Sequence, residues 1–286
     1  MTVIFALLTA ASSAVSVTTQ HIASSAGGSH RPKGWAFIWH LFRSPMWLFG
    51  WIALAASFLF QSLALHNGQL SVVQPLLVTE LIFGLLLRRF WIHQSLKPMA
   101  WVSAGVTCVG LAAFLAVGQP EGGNASPISG HWLSAGTFFG LLAVVLTLAA
   151  QRGSPSRRAA LYACAAAILW SLVATLIKTA TEILTQSGLS GLFTDWPVYA
   201  LALCGGLGVL LEQAALHAGP LRSSQPFLVI VDPLVSIALG VWIFNQRFTG
   251  DALTLLLAGG AFGVMCLGAI RLTRSTPLTM APDSPT

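Results

Sequence analysis

Residues 64–78 read ALHNGQLSVVQPLLV, and residues 215–229 read ALHAGPLRSSQPFLV. Nine of these 15 positions are identical at an offset of 151 residues, including a Gln-Pro pair that begins at Gln74 and at Gln225. Because His, Gln and Pro are rare in sequence this apolar, chance does not account for the match. The chain therefore contains an internal repeat, and each copy lies at a turn between two apolar stretches.

The composition around the repeat is that of a membrane protein. Of the 286 residues, 55% are hydrophobic and 8% are charged, against about 25% charged residues in soluble domains. A soluble protein of this size cannot bury so much apolar surface. The composition excludes a soluble globular protein, a disordered chain and a nucleic-acid-binding domain, and it predicts an all-α polytopic membrane protein.

A membrane-crossing helix needs about 20 mainly apolar residues. Nine stretches of the chain meet this requirement, and we expect all nine to cross the bilayer. They are 2–23, 46–66, 69–87, 99–118, 132–151, 159–181, 196–216, 220–243 and 251–271.

The positive residues predict the orientation of these spans, because Lys and Arg collect on the cytoplasmic side. With the N-terminus outside and the C-terminus inside, 12 of the 14 Lys and Arg residues lie on the inner side, in loops or at span ends. Arg247 falls outside, and Lys178 lies within the sixth span. Residues 34–42 (GWAFIWHLF) are too short to cross and are expected to lie along the inner interface.

The two copies of the repeat then have opposite membrane orientation, since the first turn is outside and the second inside. Inverted repeats are a signature of secondary transporters, whose halves exchange conformations around a site near the midplane. We expect a first repeat of four spans over 1–118 and an inverted second repeat of four spans over 159–271. Residues 119–158 supply an external loop, a connector span and a cytoplasmic loop, and residues 272–286 a disordered cytoplasmic tail.

These motifs resemble the drug/metabolite transporter (DMT) superfamily, in its EamA-like members. The pattern AL..G.LS..QP returns as AL..GPL..SQP, which DPL.S..LG follows. The segment GQLSVVQPLL is also similar to the NIPA-type magnesium permease branch. The resemblance implies transport of a small metabolite, drug or cation. Many members carry a Glu after the eighth span, where this chain has Gln246.

Ionisable residues inside the spans are the candidate site, because a charge at mid-bilayer costs roughly 2.5–3.5 kcal/mol. Glu212 is the repeat partner of Gln61. Asp232 precedes Pro233, which is expected to loosen the helix as in broken transporter helices. Alternatively, Asp232 forms a static pair with Lys178. The candidate substrate or coupling-ion residues are Glu212, Asp232, Glu80, Lys178, Gln61, Gln74, Gln225 and Trp170.

The register of the repeat pairs Leu81 with Asp232, and Glu80 with Val231. Glu80 is therefore expected to act near mid-membrane or to pair with Lys178, and not as the repeat partner of Asp232. For Trp170, core packing is the alternative to lining a substrate cavity.

Catalytic and nucleotide motifs are missing from the sequence. It has no P-loop, CxxC, HExxH or GxSxG motif, so we expect no enzyme and no cofactor. The expected partners are a substrate and the lipid bilayer of the inner or plasma membrane, with a homodimer as an option. A facilitative divalent-cation permease, using Glu80, Glu212 and Asp232 as oxygen ligands, is the second hypothesis. A non-transporting membrane assembly protein is the third.

Overall fold

The computed structural model describes residues 1–25, 44–124, 126, 127 and 130–275. Within these residues, nine helices are long and apolar enough to cross a membrane, which confirms a multi-pass helical membrane protein. The predicted interfacial segment 34–42 and residues 276–286 of the predicted tail lie outside the described residues. Residues 272–275, also predicted as disordered tail, are instead the end of the last helix.

The helices and strands follow one another along the chain in a simple order. They are α1 (Thr2–Ser25), α2 (Pro45–Asn67), α3 (Leu70–Leu77), α4 (Glu80–Phe90), α5 (Pro98–Gly118), β1 (Pro120–Glu121), α6 (His131–Ala149), α7 (Pro155–Thr194), α8 (Pro197–Ala218), α9 (Leu221–Phe244), β2 (Arg247–Phe248) and α10 (Ala252–Ser275).

The first compact unit comprises residues 1–68 and 76–96. In it α1 packs against α2 and α4. The approach of α1 to α2 depends on Gly50, where a Cβ would lie 2.7 Å from Gln20 Cγ. The Ser57 hydroxyl also donates to the Thr9 carbonyl oxygen over 3.2 Å, which ties the two helices together.

The predicted third span is confirmed as the apolar stretch Leu70–Phe90, which is formed by two helices. α3 ends at Leu77 and α4 begins at Glu80. At the break, the Thr79 amide and hydroxyl both donate to the Leu76 carbonyl oxygen, over 3.0 and 2.6 Å. The proline of α3, Pro75, lies just before this break and lacks the amide that a helix requires.

Pro233, which was expected to loosen its helix, does not end it. Helix α9 runs without interruption from Leu221 to Phe244 with Pro226 and Pro233 inside it. Of these two spans, the third is the one that is interrupted. Each proline still removes one helical amide donor from α9 without ending the helix.

The second compact unit comprises residues 69–75 and 97–286, and α7 is its central helix. α7 packs against α6, α8 and α9, and its side chains from Ala165 to Ala180 are nearly all buried. It is longer than the predicted span 159–181, because residues 182–194 are also helical. A break at Gly188 (φ 69°, ψ −168°) interrupts this extension.

Helices α5 and α10 form the other close pair of this unit. A Cβ at Gly110 would collide with the Met265 backbone, whose Cα lies 2.7 Å away. At Gly268 a Cβ would lie 2.6 Å from the Thr107 amide nitrogen. The two glycines thus allow the helix backbones to come together.

Residues 119–124, which follow α5, are held by hydrogen bonds to other segments of the second unit. Strands β1 and β2 pair antiparallel, with Pro120 opposite Phe248. The Asn124 amide donates to the Phe244 carbonyl oxygen over 2.7 Å. The Gln69 side chain donates to the Gly122 carbonyl oxygen over 3.0 Å. These bonds hold three segments of the second unit together at one end of its helices.

A similar backbone hydrogen bond follows helices α4 and α9. The Gln94 amide donates to the Arg88 carbonyl oxygen over 3.0 Å, and the Gln246 amide donates to that of Gly240 over 3.1 Å. The residues before them, His93 and Asn245, have φ of 58° and 53°. Each bond joins residues six apart, one residue further than the bond of a Schellman motif. The offset between the two bonds is 152 residues, whereas the offset of the sequence repeat is 151.

Candidate functional site

Two neighbouring residues of α7 each hold one of the predicted carboxylates. Trp170 bonds Glu212 of α8, and Ser171 bonds Asp232 of α9. Because successive helical residues point about 100° apart, one turn of α7 can reach two different helices. These four side chains all belong to the second unit, and we define them as the carboxylate site.

Asp232 lies half-buried among hydroxyl groups. Its Oδ1 accepts a hydrogen bond from Ser171 Oγ over 2.9 Å and a weaker one from Ser236 Oγ over 3.3 Å. Ser171 and Ser236 are themselves fully buried. The predicted static pair of Asp232 with Lys178 is not formed. Two serine hydroxyls bond the Asp232 carboxylate instead.

Glu212 is half-buried and accepts a hydrogen bond from the Trp170 indole, with Nε1 3.1 Å from Oε2. The indole also packs over Gly208, one turn before Glu212, where a Cβ would lie 3.5 Å from Trp170 Cε2. Trp170 therefore combines core packing with a polar contact, whereas the sequence treats these as alternatives. Its N–H orients one carboxylate oxygen of Glu212.

Lys178 lies two turns beyond Ser171, about 10 Å further along α7. It is 7% exposed, and its Nζ lies 5.5 Å from the centre of the Phe244 ring. Glu182 follows one turn later on the same face of the helix. Lys178 thus lies over the end of α9 and not beside Asp232.

The predicted glutamines differ in their surroundings. Gln74 is 2% exposed, and its Nε2 is a buried donor without an acceptor among the described residues. Gln225 is half-buried on α9, two turns before Asp232. Gln61 is half-buried on α2, and Glu80 is the first residue of α4, so both belong to the first unit.

Gln246 is a functional candidate that the sequence does not single out, because the chain has Gln where many members of the superfamily that it resembles have Glu. Its Oε1 accepts hydrogen bonds from the Ser71 amide over 3.1 Å and the Ser71 hydroxyl over 2.6 Å. The amide oxygen thereby caps the free N–H at the start of α3. The Gln-for-Glu difference, which keeps this acceptor, was the signal that could have found it.

Within the described part of the chain, no three Asp, Glu, His or Cys side chains come together as a metal site. Glu212 and Asp232 are held by an indole and by hydroxyls. The predicted oxygen-ligand set of Glu80, Glu212 and Asp232 is not assembled in the second unit, since Glu80 belongs to the first.

No family model matches the chain, and no solved structure matches it. A protein of Corynebacterium glutamicum that is described as uncharacterized is similar to this chain. The two are 27% identical over 235 residues, which cover 82% of this chain and 81% of that protein. The likeness extends over most of both chains and carries no statement of activity.

Proposed function

We propose that the protein is a secondary transporter of the cell membrane, an EamA-like member of the drug/metabolite transporter superfamily. It moves a small metabolite, drug or cation by alternating access between two inverted repeats. The observation that carries this proposal is the carboxylate site, in which Trp170 and Ser171 present Glu212 and Asp232 from two different spans. Acidic residues at membrane depth are costly and mark substrate or proton pathways.

The packing of the helices supports the repeat. α1 packs on α2 and α4 in the first unit, and α7 packs on α8 and α9 in the second. These are equivalent pairs if spans 1–4 correspond to spans 6–9. The amide bonds of Gln94 to Arg88 and of Gln246 to Gly240 add a similarity that does not depend on sequence identity.

The side chains of Gln246 and Gln94 have different surroundings. Gln246 Oε1 accepts two hydrogen bonds from Ser71. Gln94 Oε1 is buried without a donor among the described residues. The exchange of two conformations by inverted repeats would convert an outward-open cavity into an inward-open one.

In this mechanism Asp232 and Glu212 alternate between a proton or cation and the substrate. The buried Gln74 amide and Gln225 orient the substrate by hydrogen bonds. The membrane potential contributes about 2.3 kcal/mol per charge per 100 mV, which suffices for modest gradients. A positively charged substrate or proton is favoured because both groups of the site are acidic.

The test is proton flux into proteoliposomes that contain an internal pH dye, with metabolites, amines and Mg²⁺ added in turn. We expect a substrate-triggered pH change in wild type that is lost in Glu212→Gln and Asp232→Asn. The matched control is Asp251→Asn, which removes an exposed carboxylate outside the spans and should leave the flux unchanged.

Other outcomes separate the alternatives. Mg²⁺ entry without a pH change would favour the divalent-cation permease. Full activity of both carboxylate variants would remove the carboxylate site from the mechanism. If the folded protein shows no flux with any compound tested, the result would contradict transport and favour an assembly role.

A further inference from the structure

An apolar groove of about 910 Å³ runs between α6 and α8, and it is separate from the carboxylate site. Both helices lie beside α7, whose Leu169, Leu172 and Leu176 form the floor. One wall is the face of α6 that carries Gly136 and Gly140, where a side chain would find space. The groove therefore exists because α6 presents small residues towards α7.

The groove is continuous with the lipid-facing surface of the spans. Leu133 is 78% exposed, Leu148 58% and Leu203 63%, and all three line the groove. The hydroxyl of Thr147, one of its few polar groups, donates to the Ala143 carbonyl oxygen of its own helix over 2.7 Å. Since only hydrocarbon surrounds such a surface in a bilayer, the groove suits a hydrocarbon chain.

One end of the groove has a polar group. Trp132 and Trp196 meet edge to face there, with ring centres 5.3 Å apart, and both line the groove. Trp132 Nε1 is buried and has no acceptor among the described residues. Both residues lie at the start of their helices, which is the level where lipid headgroups and indole rings meet.

We propose that this groove is a binding site for one acyl chain of a membrane phospholipid, with the ester carbonyl accepting a hydrogen bond from Trp132 Nε1. The chain lies along Gly136 and Gly140 and fills the space that α6 leaves open. The lipid thereby becomes part of the contact between the connector span and the second repeat. This site does not rest on the proposed transport function.

The experiment uses a phospholipid with a photoreactive diazirine in its acyl chain, reconstituted with the full chain in proteoliposomes. After illumination, labelled peptides are identified by mass spectrometry. We expect labels in residues 133–148 and 200–211 of wild type. Gly140→Leu should abolish them, because the new side chain meets no protein atom at its Cβ and fills the groove instead.

The matched control is Gly259→Leu on α10. A Cβ there also meets nothing within 4 Å, but the residue does not line the groove, so labelling should persist. Trp132→Phe keeps an aromatic ring and loses the N–H, and it should lower labelling about fivefold, the equivalent of one net hydrogen bond. Gly140→Ala provides a milder filling if the leucine variant does not fold.

Three results would overturn the site. Equal labelling in wild type and Gly140→Leu would mean that the groove holds no particular chain. Unchanged labelling of Trp132→Phe would show that the ester carbonyl does not accept a hydrogen bond from Trp132. Labelling by a photoreactive free fatty acid but not by the phospholipid would mean that the groove binds a free fatty acid and not a phospholipid.

Discussion

Ser171 has one hydroxyl proton and three oxygen atoms within reach. Its Oγ lies 2.9 Å from the Ala167 carbonyl oxygen, from the Asp232 carbonyl oxygen and from Asp232 Oδ1. When Asp232 is ionised, the hydroxyl can donate to the carboxylate. When Asp232 is protonated, the acid can donate to Ser171, and the serine can turn to a backbone carbonyl. One residue thus serves both protonation states without moving the helices.

Ser171→Ala should therefore lower substrate-triggered proton flux by about tenfold, since a hydrogen bond to a charged group is lost. Thr175→Val is the control, one turn along α7. The Thr175 hydroxyl bonds only the Ser171 carbonyl oxygen, over 2.7 Å, so this variant should transport normally. Equal flux in wild type and Ser171→Ala would show that the serine has no part in coupling.

Asp251 gives a pH dependence of stability. Hydrogen bonds from the Thr254 hydroxyl (2.7 Å) and amide (2.9 Å) lower the pKa of this exposed carboxyl. A lowered folded-state pKa contributes stability that is present above the unfolded value. That stability is lost as the pH falls through the folded value, below about pH 4.

We expect Asp251→Ala to lower the melting temperature by about 2 °C near neutral pH, through loss of the α10 cap. The difference from wild type should vanish in acid. Asp251→Asn keeps a capping oxygen and should show no such pH dependence. A constant difference between wild type and Asp251→Ala at every pH would contradict this account.

At the scale of helices, α5 and α10 pack closely because Gly110 meets the Met265 backbone. Gly110→Ala should separate them and lower the free energy of unfolding by about 1–3 kcal/mol. Gly105→Ala, about one and a half turns earlier on α5, where a Cβ meets nothing within 4 Å, should be neutral or stabilising. Denaturant unfolding in detergent compares the two, and equal effects would refute the packing argument.

The contact of Gln246 with the start of α3 makes a second prediction at this scale. Gln246→Leu leaves the Ser71 amide and hydroxyl without their acceptor and should cost about 1–3 kcal/mol in the free energy of unfolding. Gln246→Glu keeps an acceptor oxygen and should cost less. Gln94→Leu is the matched control at the equivalent position, and it should change stability by less than about 0.5 kcal/mol. Equal losses at both positions would contradict the asymmetry.

At the scale of the molecule, three loops predicted to lie outside meet in the second unit. Residues 69–71, 119–124 and 244–249 are joined by backbone and side-chain hydrogen bonds, so they must share one side of the membrane. This supports the alternation of spans that the positive residues predict, although it does not give the absolute orientation.

The absolute orientation is tested by single cysteines in a chain whose four native cysteines are replaced. Thr249→Cys should react with a membrane-impermeant maleimide in intact cells. Ser154→Cys, predicted to lie inside, should react only after lysis. The reverse pattern would place the N-terminus inside.

The sequence predicts the nine spans well, because each needs only length and hydrophobicity. It also finds Glu212, Asp232 and Trp170, because ionisable and mid-span aromatic residues are conspicuous in apolar sequence. It does not find Ser171, since a serine in an Ala-rich helix is ordinary, or the extension of α7 beyond residue 181. It expects a loosened helix at Pro233 and does not predict the break at residues 78–79, which depends on local bonding of Thr79 to Leu76 after Pro75.

Gln94 and Gln246 are 152 residues apart, whereas the two turns of the sequence repeat are 151 residues apart. The segment that includes α9 is therefore one residue longer, and this changes which residues correspond. An added residue rotates everything after it by about 100° in a continuous helix. The break at residues 78–79 lies between the turn and the end of the first segment, whereas α9 has no such break. Counted back from the amide bonds of Gln94 and Gln246, Glu80 and not Leu81 corresponds to Asp232, 14 residues earlier in both cases. Each copy of the sequence repeat would then carry one acid at the same distance from this bond.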